Sequence, residues 1–226
     1  MIRLFWLPAL ALAACGLVSD ATTVKLHLPA KDFAVDTADW HLTTTAQTVP
    51  SIPCSVNCTN SAAQLCSGSC SADCEQATNS CEAEVPVTLK NDYNLATDAP
   101  EYGTIASYSF ISVTVDDIFF DITSNTLNLD TPQLTVVIGP QTINGANDSG
   151  AQIIGTIPVV HAGQTGRVDV IFAPNGRAVL KQFMDDFHTP FRVLVTGTET
   201  VHGGQSTPAG KLTGSVQADA HASLGG

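Results

Sequence analysis

The chain has 226 residues, of which 44% are hydrophobic, with 9 basic and 21 acidic residues and a formal net charge of −12. This acidic balance, with no basic run, argues against nucleic acid as a partner, because such binding depends on neutralising phosphates. It also argues against adhesion to an anionic lipid surface through charge alone. Abundant threonine, valine and glycine with few lysines and arginines favour β-strands.

The N-terminus has the pattern of a bacterial signal peptide. Arg3 supplies a positive charge, and the apolar run that follows is far shorter than the roughly 20 residues that cross a bilayer. The run ends in Leu12-Ala13-Ala14-Cys15, which resembles the lipobox of bacterial lipoproteins, whose cysteine is acylated, typically with palmitate, and becomes the first residue. The alternatives are an ordinary signal peptide with an incidental cysteine, or a misassigned start.

The resemblance implies a division of the chain into three parts. Residues 1–14 are the signal peptide, residues 15–22 a lipidated tether, and residues 23–226 one domain with a cysteine-rich insertion at 54–81. Gly16 is not the aspartate that retains enteric lipoproteins in the inner membrane, which favours an outer membrane. Loss of Arg3 with the signal peptide leaves eight basic and 21 acidic residues, a formal charge of −13.

The cysteine-rich insertion predicts three disulfides. An even number of clustered cysteines in an exported chain is typical of a disulfide framework, and the connectivity stays open. A helix over 65–76 would place three of them on one face, each pairing with a cysteine outside it. Zinc and iron–sulfur sites are the alternative, but no interval here has the usual two intervening residues. The six cysteines are Cys54, Cys58, Cys66, Cys70, Cys74 and Cys81.

Alternating apolar residues predict most of the remaining elements. A change of phase at Asp116-Asp117 predicts a β-bulge. The spacing of Leu180, Phe183, Met184 and Phe187 predicts one helix over 176–188, capped by Asn175. Strands are predicted at 24–28, 40–49, 85–89, 107–122, 125–129, 134–138, 153–160, 168–172, 191–201 and 211–222, with 90–104 as a loop or short helix and 203–210 as a hairpin loop.

These elements predict a mainly β fold: an antiparallel β-sandwich of the fibronectin or immunoglobulin type, with one helix in the C-terminal half and a small disulfide-rich insertion. The order of features over residues 105–224 resembles the LEA-2 or LEA14-like domain of water-stress and hypersensitive-response proteins. The resemblance rests on Asn125 before Leu127-Asn128-Leu129, on 155–158, and on 191–197 after the helix. It implies a fibronectin-like sandwich and a stress-protective role, although the family's Asn-Pro-Asn hallmark is not intact here.

Motifs for catalysis are absent from the sequence, so no catalytic residue is predicted. The stretch Asn147-Asp148-Ser149-Gly150 echoes the nucleophile motif of trypsin-like proteases, but Asn147 and Ala151 replace the required glycines. A turn between strands explains it better. A Gly-x-Ser-x-Gly nucleophile elbow is also missing.

Acidic and histidine residues are the remaining candidates for chemistry. Asp116, Asp117, Asp121 and Asp130 suggest calcium or an acid–base pair, but neighbouring residues of an unbulged strand face opposite sides, and a solvated strand is the commoner explanation. No histidine pair has the helical i, i+4 spacing of a metal site, so each is expected to be solvated. No metal or cofactor is predicted. The histidines are His27, His41, His161, His188, His202 and His221.

The sequence therefore predicts a membrane-anchored extracytoplasmic lipoprotein that acts as a non-enzymatic binding or structural module. Its partners would be the membrane, through the lipid, and a protein or cell-surface component. The alternatives are a stress-protective protein of the LEA-2 kind and an enzyme with a dispersed site. A binding module predicts an exposed apolar patch on the loops or the cysteine-rich segment, and an enzyme predicts a concave pocket of converging titratable groups.

Overall fold

A computed structural model describes residues 23–43, 47–55, 57–68, 70–99, 111–186 and 188–224. The predicted signal peptide, Cys15 and most of the tether lie outside these ranges. The strands are β1 (Thr23–Asp36), β2 (Ser71–Glu75), β3 (Ser80–Tyr93), β4 (Ile111–Asn125), β5 (Leu134–Pro140), β6 (Gln152–Ile157), β7 (Gly166–Asp169), β8 (Ile171–Phe172), β9 (Phe191–Val201) and β10 (Lys211–Leu224). The helices are α1 (Cys58–Leu65), α2 (Leu95–Asp98) and α3 (Gly176–Asp185), with a 3-10 turn at Thr37–Trp40.

The strands form two antiparallel sheets, which confirms the predicted sandwich. One sheet has four strands in the order β1-β10-β4-β7, and the other has six in the order β2-β3-β9-β5-β6-β8. The main core contains residues of both sheets, among them Val115, Val136, Phe191 and Val216. Antiparallel sheets commonly bury one face and solvate the other, which is the alternation that the sequence shows.

Helix α3 closes one side of the core. Leu180 and Met184 are each 1% exposed, and the Phe183 ring lies 5.7 Å from that of Phe191. The predicted helix is confirmed, but it ends at Asp185 rather than at 188, and Phe187 lies outside the described residues. Asn175 occupies the N-cap position without the predicted side-chain hydrogen bond.

Strand β4 carries the β-bulge that the change of phase predicts. Asp117 pairs with Asp219 and Val115 pairs with Ala220, so Asp116 is the extra residue. Val115 and Ile118 on either side are 3% and 5% exposed. The bulge keeps both flanking residues in the core and turns both aspartates toward solvent.

The cysteine-rich segment forms a small lobe around α1, β2 and the start of β3. Its cysteines lie in three pairs, with Cα–Cα distances of 5.5 Å for Cys54–Cys74, 5.4 Å for Cys58–Cys81 and 6.4 Å for Cys66–Cys70. All three distances suit disulfides. Neighbouring segments supply apolar residues, so the lobe has a small core of its own, which includes Val49, Ile52, Leu65, Val85 and Val201.

The predicted helix over 65–76 is wrong. Helix α1 ends at Leu65, and residues 71–75 form β2, which pairs with β3. Cys66 and Cys70 therefore pair with each other rather than with cysteines outside a helix. The small polar residues between the cysteines carry too weak a helical signal to resist pairing with a neighbouring strand.

Two predicted strands are absent from the described residues. Residues 126–130 are not a strand, because the Asn125 side chain accepts a hydrogen bond from the Leu127 amide (3.1 Å) and donates to the carbonyls of His161 and Gln164. This turn ends β4. The described residues of 40–49 form only isolated bridges, at Leu42 and Thr48.

Two connections also differ from the prediction. The loop 203–210 is not a hairpin, because β9 and β10 belong to different sheets and the loop crosses between them. Residues 168–172 divide into β7, which pairs with β4, and β8, which pairs with β6. Hydrophobic alternation identifies strands but does not show which sheet each one joins.

Loop length predicts that the cysteine pair closing the longest loop stabilises the fold more than the pair closing the shortest loop. We expect Cys58→Ser/Cys81→Ser to lose about 3 kcal/mol of unfolding free energy and Cys66→Ser/Cys70→Ser about 2 kcal/mol, because the pairs close loops of different length. The sequence separations are 23 and 4 residues. Urea unfolding of both double variants measures the difference. A loss in the second that equals or exceeds that in the first would contradict the account.

Candidate functional site

The outward face of the four-stranded sheet brings together polar side chains from three strands. His27 on β1 pairs in register with Asp219 on β10, which pairs with Asp117 on β4. Two residues nearer the start of β1, on the same face, Lys25 pairs with His221. Because alternate residues of a strand share a face, all of these project on the side away from the core. They surround an open depression of about 410 Å³, together with Asp116 and Ala220.

Each of the two histidines in the depression is held by one aspartate. His27 Nδ1 lies 2.7 Å from Asp219 Oδ1, and His221 Nδ1 lies 2.9 Å from both carboxylate oxygens of Asp116. A carboxylate on Nδ1 fixes the orientation of the ring and directs Nε2 away from the carboxylate. The pairs are solvated: the His27 side chain is 71% exposed and that of His221 is 35% exposed.

Two arginines border the depression beside Asp117. Arg167 on β7 lies 3.5 Å from the Asp117 carboxylate and Arg177 on α3 lies 4.0 Å from it. Arg177 also donates to the Asp116 carbonyl (2.8 Å), and the Arg167 guanidinium stacks over Phe119. Arg177 thus holds the backbone of the bulge, whereas the hydrogen-bonded partner of Arg167 is Asp169 (2.5 Å). Positive and negative side chains therefore lie in one surface patch.

The predicted acidic residues lie in three separate places. The bulge brings Asp116 and Asp117 into one site, against the expectation for a regular strand. Asp121 lies further along β4, outside the lining of the depression. Asp130 lies after β4, where it accepts hydrogen bonds from His161 (2.8 Å) and the Ala162 amide. Among the described residues, no group of three or more histidine, cysteine or acidic side chains is placed to hold a metal ion.

Four of the six histidines reach solvent, as expected, but each of them is paired with a carboxylate, which sequence analysis did not predict. Besides the pairs in the depression, His161 pairs with Asp130, and His202 pairs closely with the buried Glu82. The partners are 31 to 192 residues apart in sequence, so no local motif could reveal them. The turn at 147–150 is as predicted, with Asp148 accepting from the amides of Asn144 and Gly145.

Glu199 on β9 is a further polar residue that sequence analysis missed. It is 9% exposed, on the inward face that also carries Phe191 and Val195. Burial raises the pKa of its carboxyl from 4.5 to about 7, with a smaller lowering by His202 and a raising by Asp130. The sequence could have shown that this glutamate is buried, because the alternation of Phe191, Val193 and Val195 continues to position 199 on the inward face.

The comparisons with known proteins identify no relative: no known protein family and no curated protein match the chain. The resemblances to lipoproteins and to the LEA-2 domain therefore stay predictions. No helix among the described residues is both long and apolar enough to cross a membrane.

The buried Glu199 predicts a pH-dependent loss of stability that Glu199→Gln removes. The folded state binds the proton more tightly than the unfolded state, so stability falls as the pH rises from about 4.5 to 7 and the penalty is complete above that. We expect the free energy of unfolding of the variant to exceed that of the wild type by about 1 to 2 kcal/mol above about pH 7.5, because solvent screening reduces the full effect of the shift, and to equal it near about pH 4.

Urea unfolding at both pH values measures this effect. The matched control is Glu84→Gln on β3, where alternation places the side chain on the opposite face from the buried Ala83 and Val85. Identical stability profiles for wild type and Glu199→Gln across this pH range would contradict the assignment.

Proposed function

We propose that this chain is an extracytoplasmic lipoprotein, anchored through Cys15, that acts as a non-enzymatic binding module. The recognition surface is the depression lined by the two histidine–aspartate pairs. It would bind a protein or cell-surface component through hydrogen bonds and charge. The observation that carries the proposal is that the titratable side chains from three strands converge on an open, solvated sheet face and not in the enclosed pocket that an enzyme predicts.

Export is supported by the cysteines. Disulfides persist in oxidising compartments and are rare in the cytosol. All six cysteines after Cys15 lie in pairs at disulfide distance, so no thiol is left over among them. The lipobox-like segment at the N-terminus, an independent part of the chain, also supports an extracytoplasmic location.

The pairing of β1 places the depression near the predicted anchor. Thr23, the first residue of β1, pairs with Ser223, at the same end of the sheet as His27 and His221. Seven residues lie between Cys15 and Thr23, so the reach from one to the other is at most about 29 Å when fully extended. The depression would face a partner held at, or close to, the membrane surface.

Binding is favoured over catalysis by the surroundings of the histidines. Among the residues that the structure describes, the lining contains no serine, threonine or cysteine that could serve as a nucleophile. The Asp117 side chain is 53% exposed, so water reaches the groups freely, whereas active sites usually exclude it. A histidine oriented by an aspartate is nevertheless the arrangement of a general base, and this keeps an enzyme as the second candidate.

The described residues of the cysteine-rich lobe show no exposed large hydrophobic side chain of the kind expected of a binding module. The exposed large hydrophobic residues among those described are Ile153, Val159 and Ile171. Ile153 and Ile171 lie on β6 and β8, at the edge of the six-stranded sheet. The proposed contact is therefore polar rather than hydrophobic.

A photo-crosslinking residue at Thr114 tests the proposed surface. Thr114 is exposed and pairs with His221 at the rim of the depression, so illumination of cells should give one discrete adduct. The matched control is Thr123, another exposed threonine of β4, outside the lining of the depression. Gel electrophoresis and mass spectrometry of the adducts are the readout.

Two further variants make the test specific. Replacing His27 and His221 by glutamine together should abolish the adduct at Thr114, because the recognition groups are lost. Cys15→Ser should weaken it if the partner is held at the membrane. Equal adducts from positions 114 and 123, or an adduct that survives the loss of both histidines, would overturn the proposed surface.

A further inference from the structure

The cysteine pairs differ in how much of the chain each one closes. Cys66–Cys70 spans only the connection between α1 and β2, with a sequence separation of 4 residues. The other two pairs have separations of 20 and 23 residues and tie β2 and β3 to the start of α1 or to the segment before it. A pair that closes so short a loop removes little entropy from the unfolded chain, so the lobe should stay folded when Cys66–Cys70 is open.

The surroundings of Cys66–Cys70 leave it open to attack by a thiol. Residues 67–68 of the loop are exposed, and Cys70 is only partly buried. Cys58 and Cys81, by contrast, are 7% and 0% exposed. Exchange between a thiol and a disulfide requires that the thiolate reach a sulfur atom, so an external thiol should reach Cys70 before it reaches the buried pair.

The short loop also holds His41 in an unusual backbone conformation. His41 has φ 50° and ψ 39°, in the left-handed region, which a residue other than glycine keeps only when its surroundings fix it. The Ser67 amide donates to the His41 carbonyl (3.0 Å), and the Ser67 hydroxyl donates to the same oxygen (3.3 Å). The His41 ring lies against Gly68, where an added Cβ atom would be 3.4 Å from the ring Cδ2.

The two residues after His41 extend this contact. Leu42 forms an isolated bridge with Cys66, and the Thr43 amide donates to the Leu65 carbonyl (2.8 Å). The chain at 41–43 therefore runs beside the chain that enters the cysteine loop. The disulfide fixes the end of that second segment, and through it the position of His41.

His41 and Leu42 lie in the wall of a second open depression, of about 490 Å³. Residues 207–211, which lead into β10, form another part of its lining. Its acidic and basic residues are Asp36 and Lys211, whose charged atoms lie 3.7 Å apart. The cysteine loop thus supports one wall of a polar depression on the surface.

We propose that Cys66–Cys70 is a redox-active disulfide that external dithiols open while the other two pairs stay closed, and that its opening releases His41 from the wall of the second depression. In the oxidised state the loop holds Ser67 against the His41 carbonyl. In the reduced state the loop is free to move, so His41 can return to a less strained backbone conformation. This depression shares no described lining residue with that of the histidine–aspartate pairs, so the inference does not depend on the proposed function.

The exchange consumes one dithiol for each disulfide that opens. A thiolate of the dithiol attacks Cys70 Sγ, the bond between the two sulfur atoms of the pair breaks, and Cys66 leaves as a thiolate that takes a proton from water. The second thiolate of the dithiol then attacks the dithiol's own sulfur in the mixed disulfide and displaces the Cys70 thiolate, which is also protonated. Two electrons and two protons pass to the cysteine pair, and the dithiol becomes a disulfide.

Titration of the purified, oxidised full-length chain with dithiothreitol, a small dithiol, tests the selectivity. After each addition, free thiols are alkylated and located by peptide mass spectrometry. We expect Cys66 and Cys70 to be labelled at a dithiothreitol concentration about tenfold lower than the other paired cysteines require. Cys66→Ser/Cys70→Ser should show no labelling in that range, whereas Cys54→Ser/Cys74→Ser, the matched control, should keep it.

Hydrogen exchange of single amides tests the coupling to His41. The amides of Ser67 and Thr43 are hydrogen-bonded across the contact with the loop, so both should lose protection when the pair opens. The Cys81 amide donates to the Ile52 carbonyl (2.7 Å) in the same lobe and should stay protected, which distinguishes local release from unfolding of the lobe. The double variant without the pair should show the unprotected pattern with no dithiol added.

Two results would overturn the proposal. Opening of all three pairs together, or of another pair first, would show that Cys66–Cys70 is an ordinary structural disulfide. Unchanged protection of Ser67 and Thr43 after selective opening would show that the loop does not hold His41. If Cys66→Ser/Cys70→Ser fails to fold, the titration of the wild type decides both points.

Discussion

The architecture depends on one long-range constraint: β10, the last strand, pairs on both sides with strands from earlier in the chain. It lies between β1 and β4, so residues as far apart as His27 and Asp219, 192 positions in sequence, become neighbours. The cost in chain entropy is offset by the inward face of β10, where Leu212, Val216 and the alternating alanines to Ala222 are buried. The same pairing in register brings the polar residues of the depression together on the outward face.

This pairing also gives the molecule two ends that differ in their residues. The start of β1, where the predicted tether joins, lies beside the depression. The other end of β1 leads through the 3-10 turn to Trp40, the buried Glu199 and the cysteine-rich lobe. At about 3.3 Å per residue, the 14 residues of β1 separate these ends by roughly 45 Å. Residues 32–89 contain no lysine or arginine, so acidic residues at this end are paired with groups from elsewhere in the chain, as Asp36 is with Lys211 (3.7 Å).

The acidic charge has a physical role in this arrangement. A chain of negative charge is repelled by an anionic membrane surface. An anchor at Cys15 would therefore hold a domain that stands off the bilayer rather than lying on it, with its reach limited by the tether. Basic side chains are few, and two of them, Arg167 and Arg177, lie beside Asp117 at the bulge.

Local sequence patterns predict what is local in this fold. Alternation finds β5, β9 and β10, helical spacing finds α3, and the phase change at Asp116 finds the bulge. Sheet membership, the cysteine pairs and the histidine–aspartate pairs depend on contacts between distant residues, so one sequence cannot supply them. Cys66–Cys70 shows the difference, because a four-residue period predicts a helix where pairing with β3 produces a strand.

The central claim is that this sandwich is exported, cross-linked by three disulfides and held at a membrane by an acylated Cys15. The most direct test is the intact mass of the membrane-extracted protein before and after reduction and alkylation. The account predicts loss of residues 1–14, added acyl chains, and six cysteines that react only after reduction. Free thiols before reduction, or an unmodified N-terminus, would contradict it and would remove the compartment on which the proposed function depends.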